Sequence, residues 1–318
     1  MAYHHTAVMR SEILRYLNCQ PGMIVIDGTF GGGGHSAEIY SQIKPDGILI
    51  GIDQDKDAIE SGKIKLRLYA SDIHLVHDNF VNLPDILADL DIAAVDGIVL
   101  DLGLSFHHLK YSGRGFSFSG DEPLDMRMDV RTKITAKDIV NKSDFQKLRK
   151  IFFVYGEERR ASLIARKIIR EREKSGQIHT NRQLTQIICN ALPSRVYRRK
   201  KTGRNTIHPA TKVFMALRIA VNQELEKLEV FMSMFSRFLK PRGRLCILSF
   251  HSLEDRIVKQ HFNRLAKECI CPKDFPICVC SQKASVRILT KKVLRPSASE
   301  IQANSMARSA KMRAVEKL

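Results

Sequence analysis

Three aspartates fall where apolar runs stop. Ile24-Val25-Ile26-Asp27, Gly47 to Asp53 (Gly-Ile-Leu-Ile-Gly-Ile-Asp) and Asp96 to Asp101 (Asp-Gly-Ile-Val-Leu-Asp) each close on a carboxylate. After the first of them, Gly28-Thr29-Phe30-Gly31-Gly32-Gly33-Gly34 places five glycines in seven residues, followed by His35-Ser36. Carboxylates accept hydrogen bonds from ribose hydroxyls, ammonium groups and exocyclic amines. A glycine turn between a strand and a helix brings backbone N–H groups and a helix N-terminus up to a nucleotide-like ligand. Side chains would block that approach, and such turns often take positive φ. Four consecutive glycines alone would suit a flexible surface loop. The strand before them and the helix after them decide for a binding turn.

Gly32-x-Gly34-x-x-Ala37 satisfies the dinucleotide fingerprint, and Asp53 lies about twenty residues on, where a ribose-binding acid belongs. The fingerprint fits a nicotinamide dehydrogenase and an S-adenosylmethionine methyltransferase equally well. Two features favour the methyltransferase. Asp27 stands directly before the turn, where it can receive the cofactor's ammonium group, and the chain is far more basic than a small-metabolite dehydrogenase requires. Asp101-Leu102-Gly103-Leu104-Ser105 then follows the fourth strand, where methyltransferases place the groups that meet both methyl donor and acceptor. Methylating an amine needs hydrogen-bond acceptors that turn its lone pair toward the sulfonium methyl. Asp101 and neighbouring carbonyls suit that task, and in-line positioning supplies much of the acceleration. An acid closing a strand as a helix cap is the plainer alternative for Asp101.

These residues need elements to hold them. The spacing of Met9, Ile13, Leu14 and Leu17 predicts an amphipathic helix. Strands are expected at 24–27, 47–53, 72–77 and 96–101, with helices at 36–43, 55–68 and 82–90 between them. Apolar runs alternating with helices imply a doubly wound parallel sheet, whose ligands bind beyond the carboxyl ends of the strands. Residues 102–130 break the pattern with glycine, serine and aromatics, too long a loop to lack a role. From about 135 to 192 only helical signals follow, chiefly 144–153, 157–172 and 181–189. A long helical stretch is expected over 209–238, the turn Lys240-Pro241-Arg242-Gly243 next, a strand at 244–250 and a helix at 252–267. Two further strands are read at 285–289 and 312–315. The division expected is therefore a discontinuous sheet domain (residues 1–111 and 209–318) carrying an inserted helical substrate-recognition domain (residues 112–208).

The formal charge of the 318-residue chain is +18, a surplus that points to a polyanionic partner, most simply nucleic acid. Arg195-Val196-Tyr197-Arg198-Arg199-Lys200-Lys201-Thr202-Gly203-Arg204 carries six positive charges and no acid. Most charge runs are solvated faces. Here tyrosine and glycine interleave with the charge, and Arg198, Arg199, Lys200 and Lys201 are the expected phosphate contacts. No apolar run reaches the length of a membrane span, and the N-terminus has no signal-peptide core. Seven cysteines, four of them between Cys269 and Cys280, read as a reduced chain rather than a disulfide framework. Cys269-x-Cys271-x6-Cys278-x-Cys280 tempts a zinc assignment, but one-residue spacing fits tetrahedral chelation poorly and no metal is expected. His251 either faces the site or caps the helix after it.

Taken together the chain resembles the bacterial small-subunit ribosomal RNA methyltransferase H family, which methylates N4 of a cytosine. The resemblance rests on Asp27 to Ser36, Gly51-Ile52-Asp53-Gln54-Asp55, Asp101 to Ser105 and Arg114-Gly115-Phe116-Ser117-Phe118. It continues through Pro123-Leu124-Asp125-Met126-Arg127-Met128-Asp129, Asn222 with Ala216 to Val221 before it, and Ser249 to Arg256. It implies a class I methyltransferase fold (a Rossmann-like doubly wound α/β sheet) with an inserted all-helical domain. It also implies a cytoplasmic enzyme that uses S-adenosylmethionine and acts on ribosomal RNA in the small subunit, with no membrane or DNA partner. The cofactor contacts it implies are Gly33, Gly34, His35, Asp53, Phe80, Asp101 and the position of His108, with Asp101 catalytic. An aromatic after the third strand can stack on adenine, which suits Phe80. At His108 the chain reads Ser105-Phe106-His107-His108 where the family has Ser-Ser-Pro-Gln, and a neutral imidazole can replace the amide. Two other readings stay open. A DNA amino-methyltransferase would show Asp/Asn/Ser-Pro-Pro-aromatic where Asp101-Leu102-Gly103-Leu104 stands. A non-catalytic RNA-binding assembly factor would not need the glycine turn and Asp53 intact.

Overall fold

The computed structural model describes residues 7–66, 72–192, 208–269, 271, 277, 279–280 and 282–318. They form two compact units, Met1–Ser105 with Leu225–Leu318, and Phe106–Glu224.

The first unit is built on a seven-stranded sheet. Its strands are β1 (Ile24–Asp27), β2 (Ile48–Asp53), β3 (Ile73–His77), β4 (Val95–Asp101), β5 (Leu239–Ser249), β6 (Val286–Ile288) and β7 (Lys311–Lys317). Their order is β3-β2-β1-β4-β5-β7-β6. β1 to β5 pair in parallel, while β7 runs antiparallel to both β5 and β6. Helices cover both faces, so neighbouring residues of one strand serve opposite cores, and this is why the strands read as continuous apolar runs. Ile26, Ile50, Ile52 and Ile247 pack with Phe231, Phe235, Val258 and Phe262 on one side. Val25, Leu49, Val99 and Leu248 pack with Ile13, Ile39, Ile43 and Met312 on the other. The helices of this unit include α1 (Arg10–Leu17), α2 (Gly34–Ile43), α3 (Lys56–Lys65) and α4 (Leu83–Asp89).

The turn after β1 is held down by Phe30. Its N–H donates to the Ile52 carbonyl at 2.9 Å, and its ring is 2 % exposed. A Cβ placed at Gly33 would stand 2.8 Å from that ring and one at Gly51 2.6 Å, and one at Gly62 would also collide with it. Turn, strand β2 and helix α3 each leave out a side chain so that one aromatic ring can lie among them.

The second unit is helical: α5 (Phe106–Lys110), α6 (Ala136–Lys142), α7 (Phe145–Val154), α8 (Ala161–Ser175), α9 (Asn181–Ala191) and α10 (Pro209–Asn222). The long segment between α5 and α6 is pinned by polar clamps. Arg114 donates to the carbonyls of Arg127 and Met128 at 3.0 Å each, and Arg127 grips Asp125 at 2.7 and 2.8 Å. Asn222 accepts from the Met128 N–H and donates to the Met126 carbonyl, both at 2.8 Å. Buried backbone groups are thus satisfied without regular structure, which keeps the segment ordered.

Two expectations from sequence change. The helical stretch 209–238 is two helices, α10 and α11 (Glu224–Phe238), interrupted at Gln223 in the left-handed region with φ of 53°. Their apolar faces serve different cores: Val213, Phe214 and Leu217 are buried in a helix that packs on α6, α7 and α9, whereas Leu228, Phe231 and Phe235 join the sheet core. The unit boundary therefore falls at Glu224 rather than before residue 209, and at Ser105 rather than after residue 111. The turn Lys240-Pro241-Arg242-Gly243 lies within β5, where the pairing jumps from Val95↔Leu239 to Gly97↔Arg244. It is a bulge in the strand rather than its boundary. The sheet unit also has α12 (Ser252–Leu265) and α13 (Ala298–Ala303), the latter unforeseen.

The Phe30 packing gives a counter-intuitive expectation. Replacing a mid-helix glycine by alanine normally stabilises a helix by about 1 kcal/mol. Gly62→Ala should instead destabilise by about 1–3 kcal/mol, as overpacking does, and Phe30→Leu in the same chain should recover part of the loss. Urea unfolding of the single and double variants measures both. A stabilised Gly62→Ala single variant would contradict the packing.

Candidate functional site

Strand order makes neighbours of the three carboxylates. β2, β1 and β4 are consecutive in the sheet, and Asp53, Asp27 and Asp101 are their last residues. Between β1 and β4 the winding of the sheet reverses, the place where open α/β sheets bind ligands.

Asp27 is 1 % exposed, accepting from the Ser36 hydroxyl at 2.6 Å and from the Thr29 N–H at 3.3 Å. Burial pushes its carboxyl above the ordinary range, against the opposing pull of His35 and of the Ser36 and Thr29 bonds. The expectation that it receives an ammonium group meets a carboxylate already braced from within: Asp27 ties the turn to the first residues of α2. Thr29 extends the brace, its hydroxyl accepting from the Asp101 N–H at 2.6 Å. Sequence reasoning missed Thr29 and Ser36, because no periodicity marks a hydroxyl two or nine residues beyond an acid.

Asp53 accepts from the Gly31 N–H at 2.7 Å and from the Asp55 N–H at 2.8 Å. Gly31 and Gly33 have φ of 52° and 67°, conformations in which a side chain is strained. Desolvation raises the Asp53 pKa to about 7, although both N–H bonds favour its charged form. Gly33 caps α2 and donates its N–H to the Phe30 carbonyl at 2.8 Å, and the first-turn N–H groups of that helix are those of Gly34, His35 and Ser36.

His35 is the second residue of α2 and 5 % exposed. Its Nε2 stands 3.5 Å from Asp101 Oδ2, a pairing that no spacing in the sequence reveals. Burial disfavours the charged imidazole, but Asp101 first, then Asp27 and Glu38, outweigh it and raise the pKa. The Asp101 side chain is 8 % exposed, and its Oδ1 has no hydrogen-bond partner among the described residues. A buried carboxylate oxygen without a protein partner costs free energy and calls for an explanation.

Phe80 follows β3 and lies against Gly28, where a Cβ would stand 3.3 Å from its own. Its ring meets Phe231 edge-on at 5.4 Å and belongs to the sheet core. His108 lies in the helical unit, buried, its ring 5.0 Å from that of Phe116. Arg198, Arg199, Lys200 and Lys201 fall outside the described residues. His251 caps α12, in a reciprocal arrangement with Glu254. No helix among the described residues is long and apolar enough to cross a membrane.

A doubly wound sheet with an antiparallel strand inserted between its fifth and sixth strands, and with acids at the ends of the strands flanking its switch point, defines a class I methyltransferase. Residues 2–318 match the model of the MraW methylase family, and the chain belongs to that family. The chain is 50 % identical over 318 residues to the ribosomal RNA small subunit methyltransferase H of Desulfosudis oleivorans, covering 100 % of both proteins. It is 50 % identical over 316 residues to the protein of that name from Desulforapulum autotrophicum, covering 98 % of each. With the one from Halothermothrix orenii the identity is 48 % over 314 residues.

The raised Asp53 pKa has a definite sign. The folded chain holds this proton up to about pH 7, whereas a free aspartate releases it near 3.8. Asp53 therefore favours the fold most at low pH, and that contribution is lost as pH rises between those values. Asp53→Asn cannot titrate, so its stability relative to the parent should rise over that interval. Urea unfolding of both chains at about pH 5 and about pH 7.5 checks it; a constant difference would contradict the burial argument.

Proposed function

We propose that this chain transfers a methyl group from S-adenosylmethionine to N4 of a cytosine in the RNA of the small ribosomal subunit, in the cytoplasm. The observation that carries the reading is Asp101, with a buried, unfilled Oδ1 at the end of the strand beside the glycine turn. The end-to-end relatives named as ribosomal RNA small subunit methyltransferases supply the substrate class.

The residues present suit the cofactor. Gly34 and His35 offer first-turn N–H groups to its anionic end, Gly33 turns the chain so that the backbone can approach it, and Asp53 accepts the ribose hydroxyls. Phe80 walls the adenine side next to Gly28. When bound, S-adenosylmethionine supplies an electrophilic methyl on a sulfonium sulfur. Asp101 accepts a hydrogen bond from the exocyclic amine of the cytosine and turns the nitrogen lone pair out of conjugation and along the transfer axis. His35, its Nε2 3.5 Å from Asp101 Oδ2, stands where it can orient that carboxylate. No dedicated base is needed, because the methylated nitrogen is acidic and gives its proton to solvent. Arg198, Arg199, Lys200 and Lys201 grip RNA phosphates as point charges and forks.

Asp101→Ala should lower turnover on small-subunit particles by roughly 100-fold at saturating cofactor, the cost of losing one aligning group. Binding of S-adenosylmethionine, followed by calorimetry, should survive the change. Full turnover in this variant would rule out the aligning role. Mapping N4-methylated cytosines in ribosomal RNA from a deletion strain, with and without the gene restored, tests the substrate: one modified position should vanish and return.

A further inference from the structure

The connection between α12, which ends at Leu265, and β6, which begins at Val286, closes on itself at its base, where the Ser285 N–H donates to the Leu265 carbonyl at 2.9 Å. None of its described residues lies in a helix or strand. Two of its apolar side chains, Ile277 and Val279, are 74 % and 69 % exposed, so they bury little surface that could order the loop. Long irregular loops usually have another ordering device.

We propose that Cys269, Cys271 and Cys280 form a zinc site that ties this loop together. The sulfur atoms of all three lie within 4.8 Å of one another. Cys269 Sγ and Cys280 Sγ are 3.8 Å apart. A tetrahedral zinc ion with Zn–S bonds of about 2.3 Å requires sulfur atoms about 3.8 Å apart, so one edge of the site is already in place. Two sulfurs also receive backbone N–H groups: Cys271 N–H donates to Cys269 Sγ and Val279 N–H to Cys271 Sγ, each at 3.4 Å. Such donors stabilise thiolate charge around a metal and fix the orientation of the ligands. The one-residue spacing of Cys269 and Cys271, unfavourable in the linear sequence, is offset because the third sulfur arrives from another turn of the loop, eleven residues after Cys269. Thiolate donors select zinc or an iron–sulfur cluster over hard cations, and three sulfurs with one position left for solvent or another donor suit a single zinc ion. Binding converts three thiols to thiolates and releases up to three protons to solvent, with no change of oxidation state. Cys278 lies outside the described residues.

The full-length protein, purified with a thiol reductant and incubated with zinc before desalting, should retain roughly one zinc per chain by elemental analysis. Titrating its thiols with a mercurial should release that zinc as the cluster reacts, a readout that needs no variant. Cobalt exchange should give the thiolate charge-transfer band of a tetrahedral site. Cys269→Ser combined with Cys280→Ser should abolish both signals, and Cys189→Ser, a change on α9, should leave them intact. Two results overturn the proposal. One is seven free thiols with no retained zinc. The other is the loss of two thiols without reductant together with no zinc when reduced, which would mark a Cys269–Cys280 disulfide pair instead.

Discussion

The glycine turn lies against the sheet because one phenyl ring fits beneath it. Phe30 occupies the space that side chains would need at Gly33, Gly51 and Gly62, three positions on three separate elements. This close packing sets the height of the turn over β2, and so the 2.7 Å bond from the Gly31 N–H to Asp53. The same descent of the chain brings Thr29 between Asp27 and Asp101. Dispersion and exclusion of water thus fix a polar site whose own hydrogen bonds are too short-ranged to choose a loop conformation.

On that apolar seat rest three carboxylates with different tasks. Asp27 is enclosed and braced by Ser36 and Thr29, tying the turn to the first residues of α2. Asp53 is satisfied by two backbone donors, while desolvation leaves it reluctant to ionise. Asp101 faces His35 with one oxygen and keeps the other unfilled. Residue type and position at a strand end are common to all three. The neighbours separate them, as environment rather than identity sets the behaviour of an acid.

Much of this was legible in the sequence. The apolar runs ending in Asp27, Asp53 and Asp101 announced parallel strands and the edge where they converge, because burial on both faces leaves no polar alternation. The glycine turn and its helix were equally plain. What could not be read depends on through-space partners. The His35–Asp101 pairing and the Thr29 brace join residues from different elements. The division at Gln223 turns on which core each half of one continuous helical pattern enters, and periodicity is blind to that. The bulge at Lys240 to Gly243 looked like a turn because Pro-Arg-Gly has turn chemistry, and only pairing with Val95 and Gly97 shows it to be strand. Among the charged motifs, Arg114, Asp125 and Arg127 serve as clamps for an irregular segment, a use that composition does not distinguish from ligand binding.

The position of β7 bears on how the protein is made. It follows every other strand in the sequence, yet it sits between β5 and β6, and Glu316 on it is gripped by Arg244 of β5 and Arg287 of β6. As the chain leaves the ribosome, β1 to β5 can pair in the order they appear, but β6 has no edge to join until β7 arrives. Until then β5 presents an open edge, a template for pairing with other chains. Closure is a late, long-range event of the kind that folds slowly and exposes a nascent chain to misassembly.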